Sequence, residues 1–145
     1  MKAEDRLTKA HIALMRDPRT MAYSGVMMVG QSTITDVATA KTNGCDIEYG
    51  RAFVDSLSDA ELRGLILHEN KHKMYQHLFI WKHLHHENSA LANQACDYVI
   101  NLEIVNMPGY GTFISLPEGG YVDSQYAGMD ALQVFNELKK NPGNN

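Results

Sequence analysis

Leu7, Ile12, Ala13 and Leu14 recur near helical spacing through residues 5–17, and the segment stops before Pro18, so a first helix is expected there. The pattern then changes. Val26, Met27, Met28 and Val29 form a short apolar run ended by Gly30, followed by Ile34, Val37 and Ala38. Asn43-Gly44 stands beside the alternating Cys45-Asp46-Ile47-Glu48-Tyr49, a hairpin signal, so residues 21–49 read as a small, largely antiparallel sheet. The second half is helical. Ser58-Asp59-Ala60-Glu61 has the form of a capping box, in which a hydroxyl and a carboxylate satisfy free N–H groups of a helix's first turn. That helix is expected from Asp59 through His68 and His72 to about Trp81, with a polar turn over 83–89. A third helix should cover roughly 90–106, closed by Pro108-Gly109. Glycines, Pro117 and tyrosines mark 109–128 as an ordered loop. Asp130 offers a cap for a last helix with Leu132, Phe135 and Leu138 on one face, stopped by Asn141-Pro142-Gly143 and followed by a frayed Asn144-Asn145. No repeat or linker interrupts this order, so the reading is one α+β domain over residues 1–145.

Length agrees: a domain of 145 residues buries roughly 68–70% of the surface its unfolded chain exposes. Apolar residues at 44% and charged residues at 21% are ordinary globular usage and exclude general disorder. Thirteen Lys and Arg against 17 Asp and Glu leave a formal charge of −4. That balance argues against a nucleic-acid partner, which requires clustered positive charge. No apolar run reaches the roughly 18–20 residues of a membrane helix, so no membrane partner is expected. Glu4 and Asp5 stand where a signal peptide needs its hydrophobic segment, and a soluble cytoplasmic protein is the expectation. Cys45 and Cys96 lack the spacing of a zinc clip and read as two buried thiols in a reducing compartment.

One number stands out: seven histidines, six of them between His68 and His86. The order His68-Glu69-Asn70-Lys71-His72 gives them meaning. Residues four apart on a helix project from one face, so His68 and His72 can grip one Zn²⁺ at about 2.0–2.1 Å each. Glu69 falls beside the metal, where it can accept a proton from a water whose acidity the metal raises. This is the H-E-x-x-H logic of zinc peptidases. The bland alternative is an amphipathic helix whose histidines are polar-face residues. A catalytic zinc needs a third protein ligand and an open position. His77 sits about 180° round from His68 on a continuous helix and cannot complete the site unless the helix breaks. Asn93, Asp97 and Asn101 form a polar stripe four residues apart. If the chain reverses near 83–89, Asp97 falls level with His72, with the asparagines as hydrogen-bonding neighbours. An ordinary solvated face fits that stripe equally well.

At these residues the chain resembles the metallopeptidase domains that precede a von Willebrand A-like domain in many bacterial proteins and that phages also carry. The matching stretches are Ser56-Leu57-Ser58-Asp59-Ala60-Glu61-Leu62, Leu67-His68-Glu69-Asn70-Lys71-His72 with His77 after it, and Ala95-Cys96-Asp97-Tyr98-Val99-Ile100-Asn101. Leu116-Pro117-Glu118-Gly119-Gly120 and Tyr126-Ala127-Gly128-Met129 also fit, so nearly the whole chain is covered in order. The resemblance implies a zincin-like fold: a small sheet packed on an active-site helix, with a following helix supplying Asp97 as last ligand. It also differs from the family, which usually carries apolar residues around the motif's histidines where this chain has Asn70, Lys71 and Lys73. Either this helix is more exposed than in its relatives or the site opens onto a different partner. No von Willebrand A-like domain is expected beside it. A stand-alone, viral form in a host cytoplasm, with a separate protein partner in that domain's place, is the expectation.

An acyl-transfer transition state develops negative charge on oxygen, and Tyr121 and Tyr126 are candidate donors to it, each also readable as packing. The sheet edge near Val26–Val29 or Val37–Ala40 can align a peptide as an added strand. Together these features predict a zinc-dependent peptidase-like hydrolase acting on a peptide or protein substrate. The alternatives are a catalytically inactive zinc protein, structural or interacting, and a metal-free helical binding module. Intact Glu69 argues for catalysis, because a structural site has no need of a base.

Overall fold

A computed structural model describes residues 1–140, the side chains of residues 77 and 78 excepted. The expected Asn141-Pro142-Gly143 stop and frayed end lie outside the described residues. Helix α1 (Ala3–Arg16) begins two residues earlier than the pattern suggested and buries Leu7, Ala10 and Leu14. A 3₁₀ turn (Met21–Tyr23) and the short α2 (Ser24–Met27) follow. The Val26–Val29 run is therefore not a strand. Four apolar residues cannot distinguish a strand from a helical turn by periodicity, and only Met27 of the four is buried.

The sheet consists of β1 (Ser32–Thr35), β2 (Ala40–Thr42) and β3 (Ile47–Gly50) in the order β1-β3-β2. β2 pairs antiparallel with β3 around the Asn43-Gly44 turn, as the hairpin signal implied. β1 pairs parallel with β3, so the sheet is mixed rather than largely antiparallel. Central β3 is buried at Ile47, Tyr49 and Gly50. Cys45, in the turn, is exposed, and only Cys96 matches the expected buried thiols.

After α3 (Arg51–Ser56), α4 (Asp59–Met74) starts on the capping box: Ser58 Oγ accepts from the Glu61 N–H and Glu61 Oε1 accepts from the Ser58 N–H. Ser58→Ala is expected to cost about 1 kcal/mol in urea denaturation, the usual worth of such a cap. A loss below 0.3 kcal/mol (about a third of that) would show that packing, not the cap, sets the start of α4.

α4 ends at Met74, not near Trp81. Gln76 takes φ 53°, a left-handed conformation, and breaks the chain into α5 (His77–Ile80) and α6 (Lys82–Glu87). Residues 83–89 are thus mostly helix, with Leu84 buried and the turn confined to Asn88. Asn88 then caps α7 (Ser89–Val105) through the Leu91 N–H. A loop over 106–123 and a 3₁₀ turn (Ser124–Tyr126) lead to α8 (Ala131–Lys140), begun by reciprocal Asp130–Gln133 hydrogen bonds.

α7 joins two buried clusters. Ile100 and Ile104 meet α1, β3, α3 and α4 in the first, whereas Ala92, Ala95 and Tyr98 meet α6 and α8 in the second. Among the described residues no helix is long and apolar enough to cross a membrane.

Candidate metal centre

α4 is more buried than its polarity suggests. Asn70, Lys71 and Lys73 are each less than one-tenth exposed. Asn70 donates to Ile66 O, Lys71 to the Tyr23 hydroxyl at 3.0 Å, and Lys73 to Val29 O at 2.7 Å. The Lys71 ammonium also lies 3.7 Å from Glu103 of α7, which accepts from the Tyr75 hydroxyl. Of the two alternatives, the more exposed motif helix is excluded: neighbouring elements supply the partners that let these groups leave water.

On the face that meets α7, His68 and His72 project side by side, their rings 4.8 Å apart. Asp97 reaches them from α7. Its Oδ1 lies 3.0 Å from Nε2 of each histidine, and the two Nε2 atoms are 3.1 Å apart. Among the described residues this is the one group of His, Cys, Asp and Glu side chains close enough to hold a metal ion.

Hydrogen bonds fix the ring orientation. Asn101 Nδ2 donates to Tyr121 O at 3.0 Å, which turns the amide oxygen toward His68 Nδ1 at 2.7 Å. Nδ1 therefore carries a proton, and Nε2, which faces Asp97 and His72, is the nitrogen that offers a lone pair when the ring is neutral. Only a proton or a cation among these three atoms makes such contacts favourable. Ligands at 2.0–2.1 Å around tetrahedral zinc stand about 3.3 Å apart, so the triangle fits a metal with little adjustment.

The protein's own charges respond to the crowding. Burial would lower the His68 imidazole, but the hydrogen bond with Asp97 and the nearby Glu69 and Asp97 charges raise it above its ordinary value. Burial would raise the Asp97 carboxyl, yet the two histidines hold it well below the carboxylate range. Burial pushes Glu69 up, against the opposing charges of His68 and His72. Glu69 is outside the ligand triangle, on the wall of the same cavity.

That cavity measures about 550 Å³ and is bounded by α4, α7, residues 39–42 and the loop over 116–121. Asn93, Asn101 and Tyr121 line it. Tyr126 does not. It is buried in the second cluster with its ring against Tyr98 at 4.8 Å, so of the two loop tyrosines only Tyr121 reaches the site. The break before His77 removes the helical ground on which that residue was set aside, and its side chain lies outside the described residues. Phe53, which also lines the cavity, carried no signal in the sequence beyond its apolar character.

A family whose model is described as “Putative metallopeptidase domain” matches residues 2–144. No curated protein and no solved structure matches the chain.

Proposed function

The chain belongs to that metallopeptidase-domain family, and from this premise we propose that it is a zinc-dependent peptidase-like hydrolase. His68, His72 and Asp97 hold the ion and Glu69 is the general base. The observation that carries the reading is the convergence of three ligand atoms within 3.1 Å beside a buried carboxylate in an open cavity. Structural zinc sites are closed by four protein ligands, whereas three ligands facing a cavity leave a position for substrate or water.

The bound ion would polarise the attacking water and the scissile carbonyl. Glu69 takes a proton from that water at a carboxylate oxygen and returns it to the amine nitrogen as the C–N bond breaks. A buried carboxyl with a raised proton affinity suits both transfers. Asn101 keeps His68 in the tautomer that frees Nε2 and anchors Tyr121, whose phenol we assign as donor to the developing oxyanion.

The sheet supplies the alignment. Gly50 donates to Thr39 O and Asn43 to Asp46 O, so Lys41 uses its N–H and C=O toward β3. Alternation then turns the N–H and C=O of Ala40 and Thr42 to the edge bordering the cavity, where an extended peptide can pair.

Glu69→Gln tests the proposal. The variant is expected to keep its fold and one equivalent of zinc while losing peptide hydrolysis by about 10²–10⁴-fold. Cleavage at the wild-type rate would remove Glu69 from the base role.

A further inference from the structure

The cavity is not chemically uniform along its length. Asn101 bonds His68, and Asn93 lies two turns earlier on α7, so Asn93 marks the end beyond His72. That end is polar. Leu65 lies one turn before His68 and Glu69 on α4, about 5–6 Å along the axis in the other direction. The loop that Ser115 pins to Ala60 O brings the apolar Leu116 and Pro117 to this side, and Phe53 from α3 adds to the cavity's apolar lining. Phe53 and Leu116 also pack against the first core, which fixes this wall. The charged lining groups outside the centre are engaged or in water. Lys41 stands 3.5 Å from Glu48, and Glu118 is exposed.

We propose that the Phe53–Leu65–Leu116 end is a side-chain pocket that selects a bulky apolar residue beside the bond to be broken. The substrate is then an extended peptide with leucine, methionine or phenylalanine at that position, which deepens the hydrolase reading and rests on it. An extended chain advances roughly 3.3 Å per residue, so a side chain entering about one helical turn from Glu69 belongs to a residue adjoining that bond. A charged side chain would lose its water there without gaining a partner, and alanine would leave the walls unfilled.

The test separates recognition from turnover. Zinc-loaded Glu69→Gln protein of residues 1–145 is titrated, by fluorescence anisotropy, into labelled, end-blocked hexapeptides of glycine and serine with one variable residue. Leucine and phenylalanine peptides should bind at least about tenfold more tightly than alanine, lysine or aspartate peptides. Adding Leu116→Asp should abolish that preference and favour the lysine peptide, a reversal that lost packing alone does not produce. Phe53→Ala lies on α3, outside the loop, and should shrink the phenylalanine peptide's advantage, so the pocket stays testable if the first variant does not fold. Equal binding of leucine and alanine peptides, or a preference indifferent to folded variants, overturns the pocket. If wild-type protein binds the leucine peptide selectively but leaves it uncut, the pocket stands and the hydrolase reading falls.

Discussion

Asp97→Ala is expected to purify without metal, while Asn101→Ala retains zinc with affinity lowered about 10–100-fold. The difference follows from what each side chain touches. Asp97 Oδ1 is equidistant from both histidine nitrogens at 3.0 Å, so its removal takes away one corner of the triangle and the negative charge that would offset a bound ion. Of the ligand triangle Asn101 contacts the far nitrogen of His68, besides its bond to Tyr121 O, and its loss frees the ring without removing a ligand. The His68→Ala, His72→Ala double variant should lose the metal as well. It should also lose the thermal stability that binding confers, about 2.7 kcal/mol at a zinc concentration 100 times the Kd. Elemental analysis and competition against a chelator rank the variants. One full equivalent of zinc in the double variant, or wild-type affinity in Asp97→Ala, would sink the assignment.

Gly64→Ala should destabilise the protein by roughly 3 kcal/mol or more, although the same change inside an exposed helix ordinarily stabilises by up to about 1 kcal/mol. A Cβ at Gly64 would stand 1.7 Å from Ser115 O and 2.7 Å from its carbonyl carbon, both backbone atoms. To relieve that overlap the loop must lift from α4. It would give up the Ser115 N–H bond to Ala60 O, the Arg63 bond to Phe113 O at 2.6 Å and the complete burial of Ile114. Because residues 116–121 continue that loop, the cavity wall and the Asn101–Tyr121 contact should shift with it, and zinc affinity should fall together with stability. Urea denaturation with an unchanged m value would read the loss. A Gly64→Ala protein as stable as the parent would mean that the loop does not rest on α4.

Features closed within a few residues were legible before any fold was known. The α4 start depends on Ser58 and Glu61 satisfying each other's neighbouring N–H groups, and the pairing of His68 with His72 depends only on the pitch of a helix. The α7 stripe of Asn93, Asp97 and Asn101 is the same kind of information. It could not say whether the stripe met α4 or water, because periodicity defines a face and not what covers it.

Long-range contacts decided the rest. The parallel β1–β3 pairing joins a segment before the hairpin to the hairpin's own second strand, and the local turn signal at Asn43-Gly44 specifies only β2–β3. α4 stops at Met74 through the left-handed Gln76, and the polar positions after His68 are buried because Tyr23, Val29 and Glu103 arrive from elsewhere. Tyr121 and Tyr126 lie five residues apart in one loop, yet one lines the cavity and the other packs on Tyr98. Sequence alone determined which residues could be ligands and base, since helix geometry is local. Only the tertiary structure brought Asp97 to the histidines and walled the cavity with Phe53 and Leu116, because those contacts depend on which buried surfaces the folded chain packs together.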